Sequence, residues 1–165
     1  MIKKFLYFCI PIIIIAILYY LISPIWNVIE VNEGTPDFQK MNPSLEDTAV
    51  NNQQIASTTQ LTAHILAQAN FIEQAHEVKG QALLLQDAEQ QILRFENFET
   101  INGPNLHIYL SADLDATDYI DLGEIKATKG NVNYSLPQNI DSKKYKHVLV
   151  WCKPFKVLFS SASLQ

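Results

Sequence analysis

No charged residue falls between Phe5 and Ile22, and this run constrains the chain more than any other stretch. Continued through Ser23, Pro24, Ile25 and Trp26, it supplies roughly the 20 apolar residues that a bilayer crossing needs. The sequence therefore predicts one N-terminal transmembrane helix, with residues 1–4 as a cytoplasmic N-terminus and 5–26 as the anchor. Lys3 and Lys4 precede the run, whereas Glu30, Glu33 and Asp37 follow it. Positive-inside bias then keeps the N-terminus in the cytoplasm and exports the remainder. Tyr19, Tyr20 and Trp26 suit an outer aromatic belt. A cleaved signal peptide is the competing reading, but no small-x-small site follows, and the run exceeds a usual h-region. The expected location is the cell membrane, single-pass, with the C-terminal part outside the cytoplasm.

The formal charge of −5 includes +2 from Lys3 and Lys4, so the part beyond the span carries −7. An acidic surface without a Lys/Arg stripe is a poor partner for phosphate backbones, which excludes nucleic acid as a natural ligand. Residues 27–65 read as a polar stalk: Pro36, Pro43, several Asn and Gln, and the cluster Ser57, Thr58, Thr59 leave little to bury. Leu61, Ile65 and Leu66 behind a threonine cap could form one or two helical turns.

From residue 66 to 165 no window keeps a 3.6-residue period for three turns. Short β-type stretches recur instead at Ala69–Glu77, Gly80–Asp87, Gln91–Phe98, Leu106–Ser111, Tyr119–Ile125, Asn131–Leu136, His147–Cys152 and Phe155–Leu164. Gly80, Asn102-Gly103-Pro104, Gly130 and Pro137 punctuate them. With no crossover helices for a parallel sheet, the expected fold is all-β: an antiparallel β-sandwich or barrel-like domain of about eight strands.

Cys152 is the only cysteine outside the apolar run, since Cys9 lies within it. Topology forbids a bridge between the two. Alternation puts Val148, Val150 and Cys152 on one face of a strand and Leu149 and Trp151 on the other, both apolar. Pro154 cannot donate to a ladder, so it marks a bend, after which Phe155, Val157 and Phe159 alternate with Lys156. The thiol is thus expected near a turn at the rim of the core. It is either a small buried hydrophobe or a redox-active or ligating thiol. Lys153 and Lys156 are the nearby cations, with Lys153 on the opposite face.

Several blocks together resemble a known family: Leu93-Arg94-Phe95-x-x-Phe98, Asn102-Gly103-Pro104-Asn105-Leu106-His107-Ile108-Tyr109-Leu110, Asp121-Leu122-Gly123, Gly130-Asn131-x-Asn133-Tyr134-x-x-Pro137, and Val150-Trp151-Cys152-x-x-Phe155-x-Val157-x-Phe159. In this order they resemble the electron-transfer DM-thirteen domain family, over about residues 66 to 165. Phe71 and Ala75-His76-x-x-x-Gly80 are similar to the family's first strand. The resemblance implies a β-rich extracytoplasmic module with a redox role, and the family's hallmark cysteine falls on Cys152. The resemblance implies that it would act there as a bare thiol or as an attachment point for a group such as haem. Asn105, Ser160 and Asn70 depart from the residues the family often carries, which are aspartate, glycine and glycine.

Other chemistries fare less well. Blue copper needs two His, a Cys and an axial Met, yet no His or Met follows Cys152, and Met41 lies in the stalk. The sequence calls for no metal. Haem, if bound, would draw its axial ligands from His76 and His107, although there is no Cys-x-x-Cys-His attachment motif; no cofactor is required by the sequence. The acidic run Asp113, Asp115, Asp118, Asp121 reads as turn chemistry rather than a calcium loop. No hydrolase or transferase motif is present. The sequence therefore points to a membrane-anchored extracytoplasmic domain with a redox or electron-transfer role at Cys152, with another redox protein as partner. Trp151, Phe155 and Phe159 would shape the thiol's surroundings. The alternatives are a cell-surface interaction or scaffolding module with a structural cysteine, and a haem or small-ligand binding module.

Overall fold

The computed structural model describes residues 2–22, 27–36, 64–87 and 90–165. The body of the expected stalk, with Met41, Ser57–Thr59 and Leu61, lies outside those residues, as do Ser23 to Trp26. Helix α1 spans Ile2–Ile22 and contains Pro11. Side chains in it are described from Ile10 to Tyr20, all of them exposed. Among the described residues no helix is long and apolar enough to cross a membrane.

Ten strands follow among the described residues: β1 Glu30–Asn32, β2 His64–Asn70, β3 Ile72–Glu73, β4 Val78–Asp87, β5 Gln90–Thr100, β6 Leu106–Ser111, β7 Tyr119–Glu124, β8 Lys129–Ser135, β9 His147–Cys152 and β10 Val157–Ser163. They form two five-stranded sheets, ordered β1-β8-β5-β4-β2 and β3-β10-β9-β6-β7. The mostly-β expectation holds, and the arrangement is consistent with a sandwich. Every pairing is antiparallel except one, because β1 runs parallel to β8.

Period-two alternation builds the core. Ala82 and Leu84 of β4, Leu93 and Phe95 of β5, and Val132 and Tyr134 of β8 meet Leu106, Ile108 and Leu110 of β6 and Val148, Val150 and Cys152 of β9. Phe95 packs against Phe71, Phe98 and Tyr134 at ring-centre distances of 4.9, 5.1 and 5.2 Å, the separation favoured by tilted aromatic pairs. The Tyr134 hydroxyl accepts from the Lys126 N–H at 2.9 Å, so this buried ring brings no orphaned polar atom with it.

The structure corrects four expectations. The single strand expected at Ala69–Glu77 is two, because buried Phe71 carries the chain from the first sheet to the second. Ile65 and Leu66 belong to β2 rather than to a helical turn. Phe155 does not begin a strand: Lys153 to Lys156 form the turn of the β9–β10 hairpin, closed by the Lys156 N–H on the Lys153 carbonyl at 3.4 Å. Proline at the second turn position, with its fixed φ, explains that geometry. Finally, Glu30–Asn32 is a strand of the first sheet, although the sequence placed it in a polar stalk.

That short strand is heavily tied. The Ile29 carbonyl accepts from the N–H groups of Thr128 and Lys129 at 2.9 and 3.1 Å, and the Glu33 N–H donates to the Asn131 carbonyl at 2.8 Å. Buried Arg94 reaches across β8 from β5 and donates to the carbonyls of Glu33 at 3.3 Å and Gly34 at 2.8 Å. The Glu33 carboxylate accepts the Asn133 N–H at 2.7 Å. Gly130, at φ +114°, lets the β1 backbone come close, since a β-carbon there would strike the Val31 carbonyl.

Candidate functional site

Cys152 ends β9, paired across the second sheet with Leu106 of β6 and Val157 of β10. Its side chain points into the core, as alternation required, and only 1% of the residue is exposed. The thiol donates to the Pro104 carbonyl at 3.3 Å. Burial pushes its pKa up, and a hydrogen bond from the Phe155 backbone N–H opposes that shift. At neutral pH the group rests as a thiol, not a thiolate.

The thiol is deep but not remote from solvent. A cavity of about 540 Å³ lies at the same end of the sandwich, lined in part by Asn102, Pro104, Leu106, Glu124, Pro154 and Phe155. The residue that accepts the thiol's hydrogen bond thus forms part of the cavity wall, as does the turn that follows the cysteine. Gly103 keeps this wall thin: a β-carbon would lie 2.8 Å from the Phe159 ring, so the Asn102-Gly103-Pro104 turn can lie against the core only because no side chain is there.

The expected neighbours divide. Phe155 is 55% exposed at the cavity rim, and Phe159 is buried beneath the Gly103 turn. Trp151 faces away, on the outer side of the sheet, with its ring 6.2 Å from that of Tyr109, which in turn stacks on Tyr119 at 4.1 Å. Lys153 does not serve the thiol, because its ammonium pairs with Asp121 at 3.2 Å.

His107 sits on β6 with both ring nitrogens engaged, Nδ1 with Asp121 at 2.8 Å and Nε2 with Asn105 at 3.0 Å. Asn105, at the position where the family often has an aspartate, therefore holds the imidazole from the other side and occupies a left-handed turn position at φ 52°. His76 packs on Phe159 with ring centres 4.0 Å apart. Neither histidine lines the cavity beside Cys152. With one imidazole saturated by hydrogen bonds and the two apart from the thiol's cavity, these residues do not fit a haem. Among the described residues no group of three His, Cys, Asp or Glu is placed to hold a metal ion.

The acidic run is spent on turns and ion pairs. Asp113 accepts from the N–H groups of Asp115 and Thr117 and from the Thr117 hydroxyl. Asp118 pairs with Lys144 at 2.7 Å. In Asp121, burial works to raise the pKa, but the His107 hydrogen bond, the Gly123 N–H and Lys153 outweigh it, and the carboxyl is held below its usual range. The sequence reading missed two participants. The Pro104 carbonyl is a backbone group that no residue type announces, whereas Arg94, one charge between Leu93 and Phe95 in an apolar strand, was a signal in plain view.

No curated protein and no solved structure matches the chain. The family model described as Electron transfer DM13 matches residues 70–164, a stretch that holds the whole second sheet, Cys152, and most of the cavity wall. More than half of the sequence is covered, and the chain belongs to the Electron transfer DM13 family.

Proposed function

We propose that this protein is a membrane-anchored, extracytoplasmic electron-transfer domain whose redox centre is the Cys152 thiol, exchanging electrons with another redox protein. Membership of an electron-transfer family supports the role. The observation that carries the choice of residue is the hydrogen bond from the thiol to Pro104, a residue of the cavity wall. The Gly103–Asn105 turn and the Lys153–Lys156 turn, both at the end of β9 that carries the sulfur, contribute residues to the cavity wall. Opening of the second turn would expose it without disturbing either sheet.

The anchor rests on the sequence of α1. The described helix is by itself not long and apolar enough to cross; what supports the anchor is the uncharged run from Phe5 through Trp26, roughly the 20 apolar residues a bilayer crossing needs. Its described isoleucines, Ile10, Ile12 to Ile15 and Ile17, are all exposed, so the β-domain does not cover them. Lys3 and Lys4, in the first turn of α1 ahead of the apolar run, and the acidic residues after the helix would orient the domain outward.

A second reading has its own observation. A thiol that is 1% exposed and has a raised pKa behaves as core packing, which suits a surface interaction module with a structural cysteine. Voltammetry of the full chain in a lipid film, compared with Cys152→Ser, separates the two. The redox reading expects a wave that vanishes in the variant while the melting temperature moves by only a few degrees. No wave in the wild type, with a large loss of melting temperature in Cys152→Ser, would leave only the packing role.

A further inference from the structure

We infer that the end of the sandwich carrying Cys152 and its cavity rests against the lipid surface, so that whatever reaches the thiol does so within the plane of the membrane. The inference deepens the anchored reading above and rests on it.

The argument is one of covalent reach. Had residues 27–65 been a free stalk, the domain could stand far from the bilayer. Instead the chain is fastened to the first sheet from Asn27 onward: the Asn27 carbonyl accepts from Asn102 at 3.0 Å, the Ile29 N–H donates to Thr128 at 2.9 Å, and β1 follows. Five Cα steps join Ile22, the last residue of α1, to Asn27, and they cannot exceed about 18 Å. The polar tract 37–63 enters the chain after β1 and before β2. It therefore adds nothing to the distance between helix and domain.

The strand directions fix which end is held. β5 arrives at, and β6 departs from, the turn at 101–105, β9 ends at Cys152, and the chain enters at Asn27, which bonds that same 101–105 turn. The loop 112–118 and the β8–β9 connection lie at the other end of the same strands. The near end has an interfacial composition. Val28, Ile29, Ile101 and Phe155 are exposed there beside Pro104 and Pro154, and Lys153 and Lys156 lie in the same turn as Phe155. Exposed apolar side chains rimmed by lysine suit the headgroup boundary, where buried faces sink about 5–10 Å. Glu77, Glu99 and Glu124 are also exposed at the near end, and the far end carries Asp113, Asp115 and Asp118, so the two ends differ in their exposed apolar side chains rather than in acidic charge.

The test uses the full chain in phosphatidylcholine vesicles containing a shallow brominated lipid. Trp26 and Trp151, the two native tryptophans, are replaced by Phe, and one new tryptophan is introduced as Phe155→Trp at the near end or Leu114→Trp at the far end. Both positions are exposed, so neither variant disturbs packing. The inference expects quenching of Phe155→Trp deeper than that of Leu114→Trp by on the order of two-fold, as interfacial insertion requires. Equal quenching in protein that resists alkaline carbonate extraction overturns this inference and leaves the anchor standing. Release by carbonate overturns the anchor, and this inference with it.

Discussion

Ser160 stands where the family often has glycine, and its cost is visible. The residue is fully buried at the β-bulge of β10, and its hydroxyl has no hydrogen-bond partner among the described residues. An unpaired buried hydroxyl costs about 1–3 kcal/mol, so Ser160→Ala should raise the melting temperature, and a thermal melt checks it. No change or a fall would mean the oxygen is satisfied in solution. At the same scale, the sequence told which way Cys152 points but not how deep it lies. Alternation sets a face, whereas depth depends on the Gly103 turn and the Lys153–Lys156 turn closing over the strand end. His107 was legible as a strand residue with a satisfied ring; its partners Asp121 and Asn105 come from β7 and a turn, and no spacing rule joins them.

At the scale of elements, β4 to β9 were readable because glycine, proline and asparagine turns bracket alternating apolar runs. β1 and β3 were not, for a physical reason: strands of three and two residues have no periodicity to detect, and what stabilises them is supplied by distant partners. Arg94 is the chief such partner of the β1 segment. Arg94→Ala would take a donor from the carbonyls of Glu33 and Gly34 and from the Glu96 carboxylate, leaving Gly34 with Asn133 and Glu96 with Gln81, at a cost of roughly 2–4 kcal/mol for a partly buried charged network. The expected signature in amide hydrogen exchange is local: protection at Val31 and Glu33 collapses, while Val148 to Val150 of β9 stay protected. Uniform loss across both sheets would show that the clamp and the core are one cooperative unit.

For the whole molecule, the carboxylates set the acid limit. The Arg94 hydrogen bond holds Glu96 low, and Thr117 does the same for Asp113. Lys144 and Tyr145 hold Asp118 low, and Asp121 is held low by its three donors despite burial. Each keeps its charge more firmly folded than unfolded, so its contribution is complete above about pH 4, the ordinary carboxyl range, and fades as pH falls toward the lowered folded values. The buried thiol has the opposite sign. Its pKa is raised on folding, so its contribution is complete below about 8.5 and is lost as pH rises toward the folded value. Burial lowers the His147 pKa, so its contribution fades as pH falls below about 6.5, and melting temperature should be level only from about pH 7 to 8 and fall on both sides. A steady rise down to pH 3 would contradict these pairings.

The most direct measurement is an iodoacetamide time course on the folded protein at pH 8, in a Cys9→Ser background, read by mass spectrometry at Cys152. A redox centre behind a turn that opens locally should label without denaturant, slower than a free thiol, at a rate that low urea leaves unchanged. Labelling that appears only as the protein unfolds globally, with a rate that follows the unfolding rate through a urea series, would make Cys152 a packing residue and remove the redox centre from this domain.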